Sequence, residues 1–268
     1  MNNTPIISFL LLILVAFFSF FGNFFYDTSP FELNYNSILL SPSLEYPFGT
    51  DRLGRDILAR LIEGGKTSLI IGFVSALISS FIGLIIGTTA GYFRGNVDKT
   101  FVIVVDLFLT FPTFFLLLAL VSYINASSMV LIFIISITGW MTTARLIRSE
   151  SFAITTKPFI KILNIANVPK SKILLKYYAP LLLPIFLVSF TFGVGGAILA
   201  ESGLSFLGLG IVAPQMSWGT ILSSGKEVID IAWWVSFFPG LMIFIITFSL
   251  MNISNYLQHQ SSKKDLRA

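Results

Sequence analysis

The chain has 268 residues, of which 55% are hydrophobic and only 11% are charged. A soluble domain of this size carries roughly twice that charged fraction, so the composition excludes a soluble protein and indicates an integral membrane protein. The net charge of +4 does not indicate nucleic-acid binding, because the basic residues cluster at the ends of apolar runs, and the absence of cysteine excludes disulfides and thiolate metal sites.

Six apolar runs are long enough to cross a bilayer as helices, since about 20 residues span its hydrocarbon core. The first resembles a secretory signal peptide, but no Lys or Arg precedes it and no small-residue cleavage site follows, so we interpret it as an uncleaved span. The sequence therefore predicts an all-α membrane protein with a first helix and outer segment over 1–66, a five-helix core over 67–256 and a tail over 257–268. The six runs lie at residues 6–25, 67–91, 101–123, 129–147, 181–200 and 232–256.

Six spans place both termini on one side of the membrane. With the termini inside, the cytosolic segments hold 12 of the 17 Lys and Arg residues, and the outer segments hold nine of the 13 acids. Because basic loops stay in the cytosol, we expect a multi-pass protein of the cytoplasmic membrane with both termini cytosolic.

The second span carries a small residue at every fourth position. Such a row lets another helix approach closely in lipid. The approaching helix belongs either to this chain or to a second membrane subunit. The row consists of Ser75, Ser79, Gly83, Gly87 and Gly91.

An acidic residue, Asp106, lies within the third span, close to Pro112. An acid inside a span is a candidate functional residue. The alternative is local, because Pro112 frees a backbone carbonyl that needs polar compensation.

A basic segment over residues 145–180 separates the fourth and fifth spans. Pro158 suits a first helical turn, with Thr156 as its cap, and Pro169 ends that short helix before a second one. The exposed apolar face of the first helix either docks a soluble partner or lies on anionic lipid headgroups. That face consists of Phe159, Ile162, Leu163 and Ala166, at positions i, i+3, i+4 and i+7.

Two long motifs carry a family resemblance. Residues 47–60 read PFGTDRLGRDILAR, followed by GGKTSL at 64–69, and residues 201–210 read ESGLSFLGLG. A shorter match combines Val105-Asp106 with Phe111-Pro112. From about residue 47 onward the chain resembles the oligopeptide/dipeptide/nickel branch of ABC-importer permeases, in particular their second, or C-type, permease subunit.

The resemblance implies the type I permease fold, with six transmembrane helices and a cytosolic helical coupling loop at about 149–180. It implies transport by alternating access, with no catalytic residue, metal or cofactor in this chain. The implied partners are a homologous permease, two cytosolic ABC ATPases, an extracytoplasmic substrate-binding protein and membrane lipid, but no nucleic acid. Residues implied to meet the binding protein or to gate the outer mouth are Asp51, Arg52, Arg55, Asp56 and Glu201.

In such permeases the coupling loop carries a Glu-Ala-Ala…Gly motif that seats in a groove of the ATPase. Here the motif falls on residues 161–163, where Lys161 replaces the acid and Asn167 replaces the Gly. An Asn can adopt the left-handed conformation that a Gly often provides, so we expect the turn to persist. The implied coupling residues are Phe159, Lys161, Ile162, Leu163, Ala166 and Asn167.

Other functions are less consistent with the sequence. A self-contained secondary transporter or channel needs intramembrane ion sites, and Asp106 is the only acid clearly within a predicted span. A membrane scaffold leaves the docking loop and the outer motifs unexplained, and the single His259 gives no basis for an enzyme. The spans offer no Cys or His to a bare nickel ion, so the substrate is a peptide or a chelated metal.

Overall fold

The computed structural model describes residues 5–124 and 126–265, without the side chains of 262–265. These residues form ten α-helices and no β-strand, which confirms the all-helical prediction. Five stretches are long and apolar enough to cross a membrane, and the bent pair α3–α4 makes a sixth candidate. The helices are α1 (Ile6–Phe21), α2 (Ile57–Phe93), α3 (Gly95–Thr110), α4 (Thr113–Val121), α5 (Ser128–Thr156), α6 (Pro158–Ile165), α7 (Lys170–Ile173), α8 (Ala179–Phe206), α9 (Trp218–Lys226) and α10 (Trp234–Asp265).

The third predicted span is broken. Helices α3 and α4 meet at an angle of 77°, so the prediction of one continuous span over 101–123 was wrong. The cause is Pro112, which lacks an N–H and forces the preceding Phe111 into an extended conformation, with φ −87° and ψ 133°.

Helices α2, α5, α8 and α10 extend beyond at least one end of the predicted span, whereas α1 ends at Phe21. Helix α2 begins at Ile57 rather than at residue 67, because the Asp56 carboxylate accepts a hydrogen bond from the Ala59 N–H at 2.7 Å and caps the helix. Helix α8 continues through Glu201 to Phe206. The motif at 201–210, expected in an outer loop, therefore begins inside a helix.

The row of small residues on α2 faces α5 of the same chain. A Cβ added to Gly87 would lie 2.5 Å from the Ala144 carbonyl oxygen, and one added to Gly83 would lie 2.8 Å from the Thr143 Cβ. A Cβ on Gly91 would lie 2.5 Å from the Ser151 Cβ. Glycine thus allows the two backbones to approach along several turns, as in other membrane helix pairs.

Candidate functional site

Helix α6 begins immediately after α5, with only Lys157 between them. Pro158 occupies the first helical position as predicted, and the helix has no side-chain cap. The expected cap was wrong, because Thr156 is the last residue of α5 and its hydroxyl donates to the Ala153 carbonyl at 2.7 Å. A fixed φ at Pro158 therefore starts α6 without an N-cap hydrogen bond.

One face of α6 anchors it to the ends of two long helices. Ile160 is fully buried in a cluster with Ile154 of α5, and with Ile173 and Tyr178 near the start of α8. Leu163 packs against the same cluster. The hydroxyls of Tyr178 and Thr155 form a hydrogen bond of 2.7 Å, which links the same two helices. Helix α6 is therefore attached to the adjoining ends of both α5 and α8.

The opposite face of α6 is apolar and uncovered. Ile162 is 64% exposed and Ile165 is 81% exposed, with Phe159 beside them at 39%. We call Phe159, Ile162 and Ile165 the docking ridge. The sequence-predicted face shares Phe159 and Ile162 with the ridge, but Leu163 turns inward and Ile165 faces outward in its place. No spacing within α6 singles out Ile165, because the inward packing of Leu163 depends on contacts with residues outside the helix.

The turn after α6 keeps its shape although Asn167 replaces the expected Gly. Asn167 has φ +55°, in the left-handed region. The Val168 N–H donates to the Leu163 carbonyl and the Asn167 N–H to the Asn164 carbonyl, both at 3.1 Å. These two bonds form a Schellman motif, which normally ends in Gly. The expected left-handed turn is present, and Ala166 precedes it on the exposed side.

Positive charge surrounds the docking ridge. Residues 151–200 contain five lysines and no acid. Lys161 is exposed, as are Lys170, Lys172 and Lys176, while Lys157 is half-buried. The ridge therefore offers apolar contact within a basic rim, and it suits a groove that is apolar at its base and acidic at its edge.

Most of the predicted outer gate residues point into the protein. Asp51 is 1% exposed and accepts hydrogen bonds from the backbone N–H groups of Leu53 and Arg55 and from the Arg55 side chain, at 2.8–3.0 Å. Buried Arg60 lies 3.7 Å from the same carboxylate. Only Arg52 reaches outward, where it pairs with Glu227. The Asp51 oxygens thus hold the turn before α2 in this structure, and the assignment of Asp51 to the outer gate stays a prediction.

Asp56 is also buried, and Tyr26 donates a hydrogen bond to its carboxylate at 2.8 Å. Burial raises the pKa of Asp56, although the backbone N–H groups of Leu58 and Ala59 and the Tyr26 hydroxyl oppose the change. Burial and the bond to Asp56 raise the pKa of Tyr26 to about 12. The pair attaches the segment after α1 to the start of α2.

Glu201 lies at the centre of a cage of serine hydroxyls. It is fully buried and accepts hydrogen bonds from Ser205 and Ser217 at 2.6 Å, from Ser68 at 3.4 Å and from Ser202 at 3.5 Å. This serine cage joins α8, α2 and the N-cap of α9. Among the described residues no Lys or Arg pairs with Glu201. Glu201 is thus buried within the chain in this structure, its assignment to the outer gate stays a prediction, and the sequence did not single out its serine partners.

Asp106 is not buried within the chain. Its carboxylate is 58% exposed and pairs with Arg145 of α5 at 2.5 Å. About two helical turns earlier on α3, Asp98 pairs with Arg148. These pairs connect α3 to α5, so Asp106 does not compensate for Pro112 as the local interpretation held. No group of three or more metal-ligating side chains occurs among the described residues.

The chain is similar to membrane components of known transport systems. A family model described as "Binding-protein-dependent transport system inner membrane component" matches residues 79–263. The oligopeptide transport system permease protein OppC of Haemophilus influenzae is 30% identical over 266 residues, which cover 98% of this chain and 86% of that protein. The OppC protein of Mycobacterium tuberculosis (strain H37Rv) is 34% identical over 218 residues, covering 80% and 75% respectively.

The nickel transport system permease protein NikC of Escherichia coli (strain K12) is 30% identical over 236 residues, which cover 88% of this chain and 85% of that protein. Among solved structures, an inward-facing conformation of the MetNI methionine ABC transporter is similar, with a TM-score of 0.56 and 17% identity. The match covers 74% of this chain and 96% of that one. At this identity the likeness shows a common fold.

Proposed function

Since this chain belongs to the family of binding-protein-dependent transport system inner membrane components, we propose that it is the permease subunit of an ABC importer for peptides or chelated nickel. It forms the translocation path with a homologous permease subunit. Two cytosolic ATPases supply the energy, and an extracytoplasmic binding protein delivers the substrate. ATP hydrolysis takes place in the ATPases and not in this chain.

The docking ridge is the observation that carries this proposal. A helix outside the membrane exposes Ile162 and Ile165 to water unless a partner covers them. Covering a large apolar side chain contributes roughly 1.5–3 kcal/mol. Because Ile160 anchors the other face of α6, an ATPase seated on the ridge moves α5 and α8 directly.

The proposal requires a defined orientation, with α6 and both termini in the cytosol. The lysine-rich rim of α6 supports it, because basic loops stay on the cytosolic side. Cysteine labelling with an impermeant thiol reagent tests it in intact cells, and the chain has no native cysteine. Ser43 and Ser171 are both exposed. We expect Ser43→Cys to react and Ser171→Cys to remain unlabelled, whereas labelling of Ser171→Cys would contradict this orientation.

Isolation of the tagged chain from its own membranes tests the assembly. We expect an ATPase subunit and a second permease to copurify with it, and uptake of a radiolabelled tripeptide to require ATP. A chain that is isolated alone, and whose uptake follows an ion gradient without ATP, would identify a secondary transporter instead.

A further inference from the structure

An apolar groove lies between α1, α2, α8 and α10, along the first half of α2 and far from the docking ridge. It has a volume of about 350 Å³, within the range of small-molecule sites. Its floor consists of Val194, Ile246 and Leu250, which are buried, whereas Phe20 and Ile70 on its rim are exposed. Because the floor is covered and the rim is not, the groove opens sideways, towards the lipid that surrounds membrane helices.

A pair of opposite charges lies at one end of the groove. Lys66 precedes the groove residues Leu69 and Ile70 by three and four positions, which places it on the same face of α2. Its ammonium group pairs with the Glu63 carboxylate at 2.6 Å, and both side chains are partly exposed. No charged residue follows Lys66 until Arg94, so Lys66 marks the level of the lipid headgroups at this end of α2.

The lining of the groove suits a hydrocarbon chain. Among the described residues that border it, only Thr191 has a polar side chain, and its hydroxyl already donates to the Leu187 carbonyl at 2.8 Å. At the end far from Lys66, the rings of Phe73 and Phe190 close the groove, with centroids 5.3 Å apart. Apolar walls without a partner lose their dispersion contacts, and an acyl chain restores them.

We propose that this groove binds one molecule of phosphatidylethanolamine, with an acyl chain between the helices and the headgroup on Lys66 and Glu63. The lysine ammonium has three N–H donors, so it bonds to the lipid phosphate without leaving Glu63. Lys66 and Asn23 both donate to Oε2 of Glu63, at 2.6 and 3.5 Å, so Oε1 of Glu63 is the acceptor for the ammonium of the lipid. Phosphatidylglycerol has no ammonium group, and the choline headgroup has no N–H to donate.

The lipid site goes beyond the proposed function and requires only that these helices cross a membrane. Helix α1 and the groove residues of α2 precede residue 79, where the match to the transporter family begins. The buried residues of α1 are Ser8, Val15 and Ser19, so little of this helix is covered by the rest of the chain. A lipid in the groove would therefore help to hold α1 against α2, α8 and α10.

Photo-labelling by a lipid tests the site in the purified importer, reconstituted in phosphatidylcholine nanodiscs. The probe is phosphatidylethanolamine with a diazirine on one acyl chain, added as a minor component. Irradiation should attach the probe to α1 and α8 at the groove, as peptide mass spectrometry would show. Unlabelled phosphatidylethanolamine should compete about tenfold better than phosphatidylglycerol, through its additional charge-assisted hydrogen bond.

A substitution that fills the groove tests where the chain lies. Ala16 borders the groove, so Ala16→Phe should lower labelling at the groove roughly tenfold by occupying the space of the acyl chain. Ile13→Trp is the control, because it adds bulk to the same helix at an exposed side chain outside the groove.

Two charge substitutions test the headgroup contact. Lys66→Gln should lower the affinity for the probe about fivefold, through loss of the charged donor to the phosphate. Glu63→Gln should remove the preference for phosphatidylethanolamine over phosphatidylglycerol. Lys226→Gln is the control, since it removes an exposed positive charge on α9, outside the groove, and should leave labelling unchanged.

Equal labelling of the Ala16→Phe variant and the native chain would overturn the inference, and so would equal competition by the two lipids. Labelling confined to the partner permease would also overturn it, because that subunit would then cover the groove. In each case the proposed function would stand. Failure of the ATPases to copurify would contradict the proposed function, whereas labelling is measured per copy of this chain and does not depend on them.

Discussion

The two ends of α2 are built in opposite ways. At the Ser68 end, the serine cage satisfies a buried carboxylate, and Trp218 is buried with its indole N–H bonded to the Leu61 carbonyl at 3.0 Å. At the Tyr92 end, α6 leaves Ile162 and Ile165 uncovered inside a rim of lysines. At the first end the buried Glu201 carboxylate and the Trp218 indole have partners within the chain, whereas at the second end Ile162 and Ile165 stay uncovered among the described residues.

The positions of α5 and α6 relative to the bilayer explain why the exposure of Ile162 and Ile165 matters. Helix α5 has 29 residues, which extend over about 43 Å and therefore beyond a hydrocarbon core of about 30 Å. Exposed apolar side chains along its middle contact lipid at no cost. Under the proposed function those on α6, which continues past the end of α5, contact water until a partner protein buries them.

The largest expected effect comes from substitutions on the docking ridge, at the second end. Replacement of Ile162 and Ile165 by Asp should reduce ATPase copurification at least a hundredfold, because burying the two side chains contributes roughly 3–6 kcal/mol. Leu163, named in the sequence-predicted face, is left unchanged because it packs inward. Pull-down of the ATPases, quantified against the amount of inserted chain, measures the loss.

Asn96→Asp with Thr100→Asp is the control for this double variant. Both residues are exposed at the start of α3, and two negative charges are added there without altering the ridge. The control should keep its ATPases. If α6 instead lay on lipid, the Ile162 and Ile165 variant would keep its ATPases too.

A change at the first end should affect stability rather than binding. Glu201→Ala removes the acceptor for the hydroxyls of Ser205 and Ser217 and should lower the free energy of unfolding by about 3 kcal/mol. Glu201→Gln retains one acceptor oxygen and should lose less. Thermal unfolding of the purified importer measures both, with ATPase attachment unchanged at low temperature. Normal stability combined with loss of binding-protein contact would restore the outer-gate interpretation.

Lys161 provides a smaller test of the basic rim. If the ATPase groove is acidic at its edge, Lys161→Glu should weaken attachment about threefold, because exposed ion pairs contribute ~0.2–1 kcal/mol. The loss should shrink in high salt. Stronger attachment of the Lys161→Glu variant would instead show that the ATPase expects the acid found in related permeases.

The smallest effect concerns the Tyr26–Asp56 pair and pH. The pKa of Tyr26 is raised from 10.0 to about 12 in the folded chain. The folded state thus favours neutral Tyr26, whose stabilising contribution is complete below pH 10 and is lost as the pH rises towards 12. The difference in Tm between the native chain and Tyr26→Phe should therefore diminish above pH 10. Tyr123→Phe is the control, since Tyr123 is fully accessible in this structure.

Sequence patterns predicted the features that depend on local chemistry. Long apolar runs revealed the spans, Pro158 marked the start of α6, and the conformational tolerance of Asn predicted the turn at Asn167. Each follows from residues within one or two helical turns. The charge asymmetry is equally local, although its consequence for orientation stays a prediction.

The features that sequence patterns missed depend on distant contacts. Glu201 was assigned to an outer loop because the fifth apolar run ends at residue 200 and the motif at 201–210 resembles an outer loop, yet its partner Ser68 is separated from it by 133 positions along the chain. Similarly, nothing within α6 shows that Leu163 rather than Ile165 packs inward, since that choice is made by Ile154 and Tyr178. Pro112 was noticed, but its presence alone does not give the size of the bend.

The length of α2 has a mechanical consequence. It is one unbroken helix of 37 residues, which contacts the serine cage at Ser68, borders at Ser79 a cavity that α4, α5, α8 and α10 also line, and continues to Tyr92. Ser79 and Tyr92 lie about 16 Å and about 36 Å from Ser68 along the axis. If the caged end acts as a fulcrum, a tilt of the helix moves Ser79 less than half as far as Tyr92. A large displacement that the ATPases impose at Tyr92 would thereby become a smaller displacement of the cavity wall at Ser79.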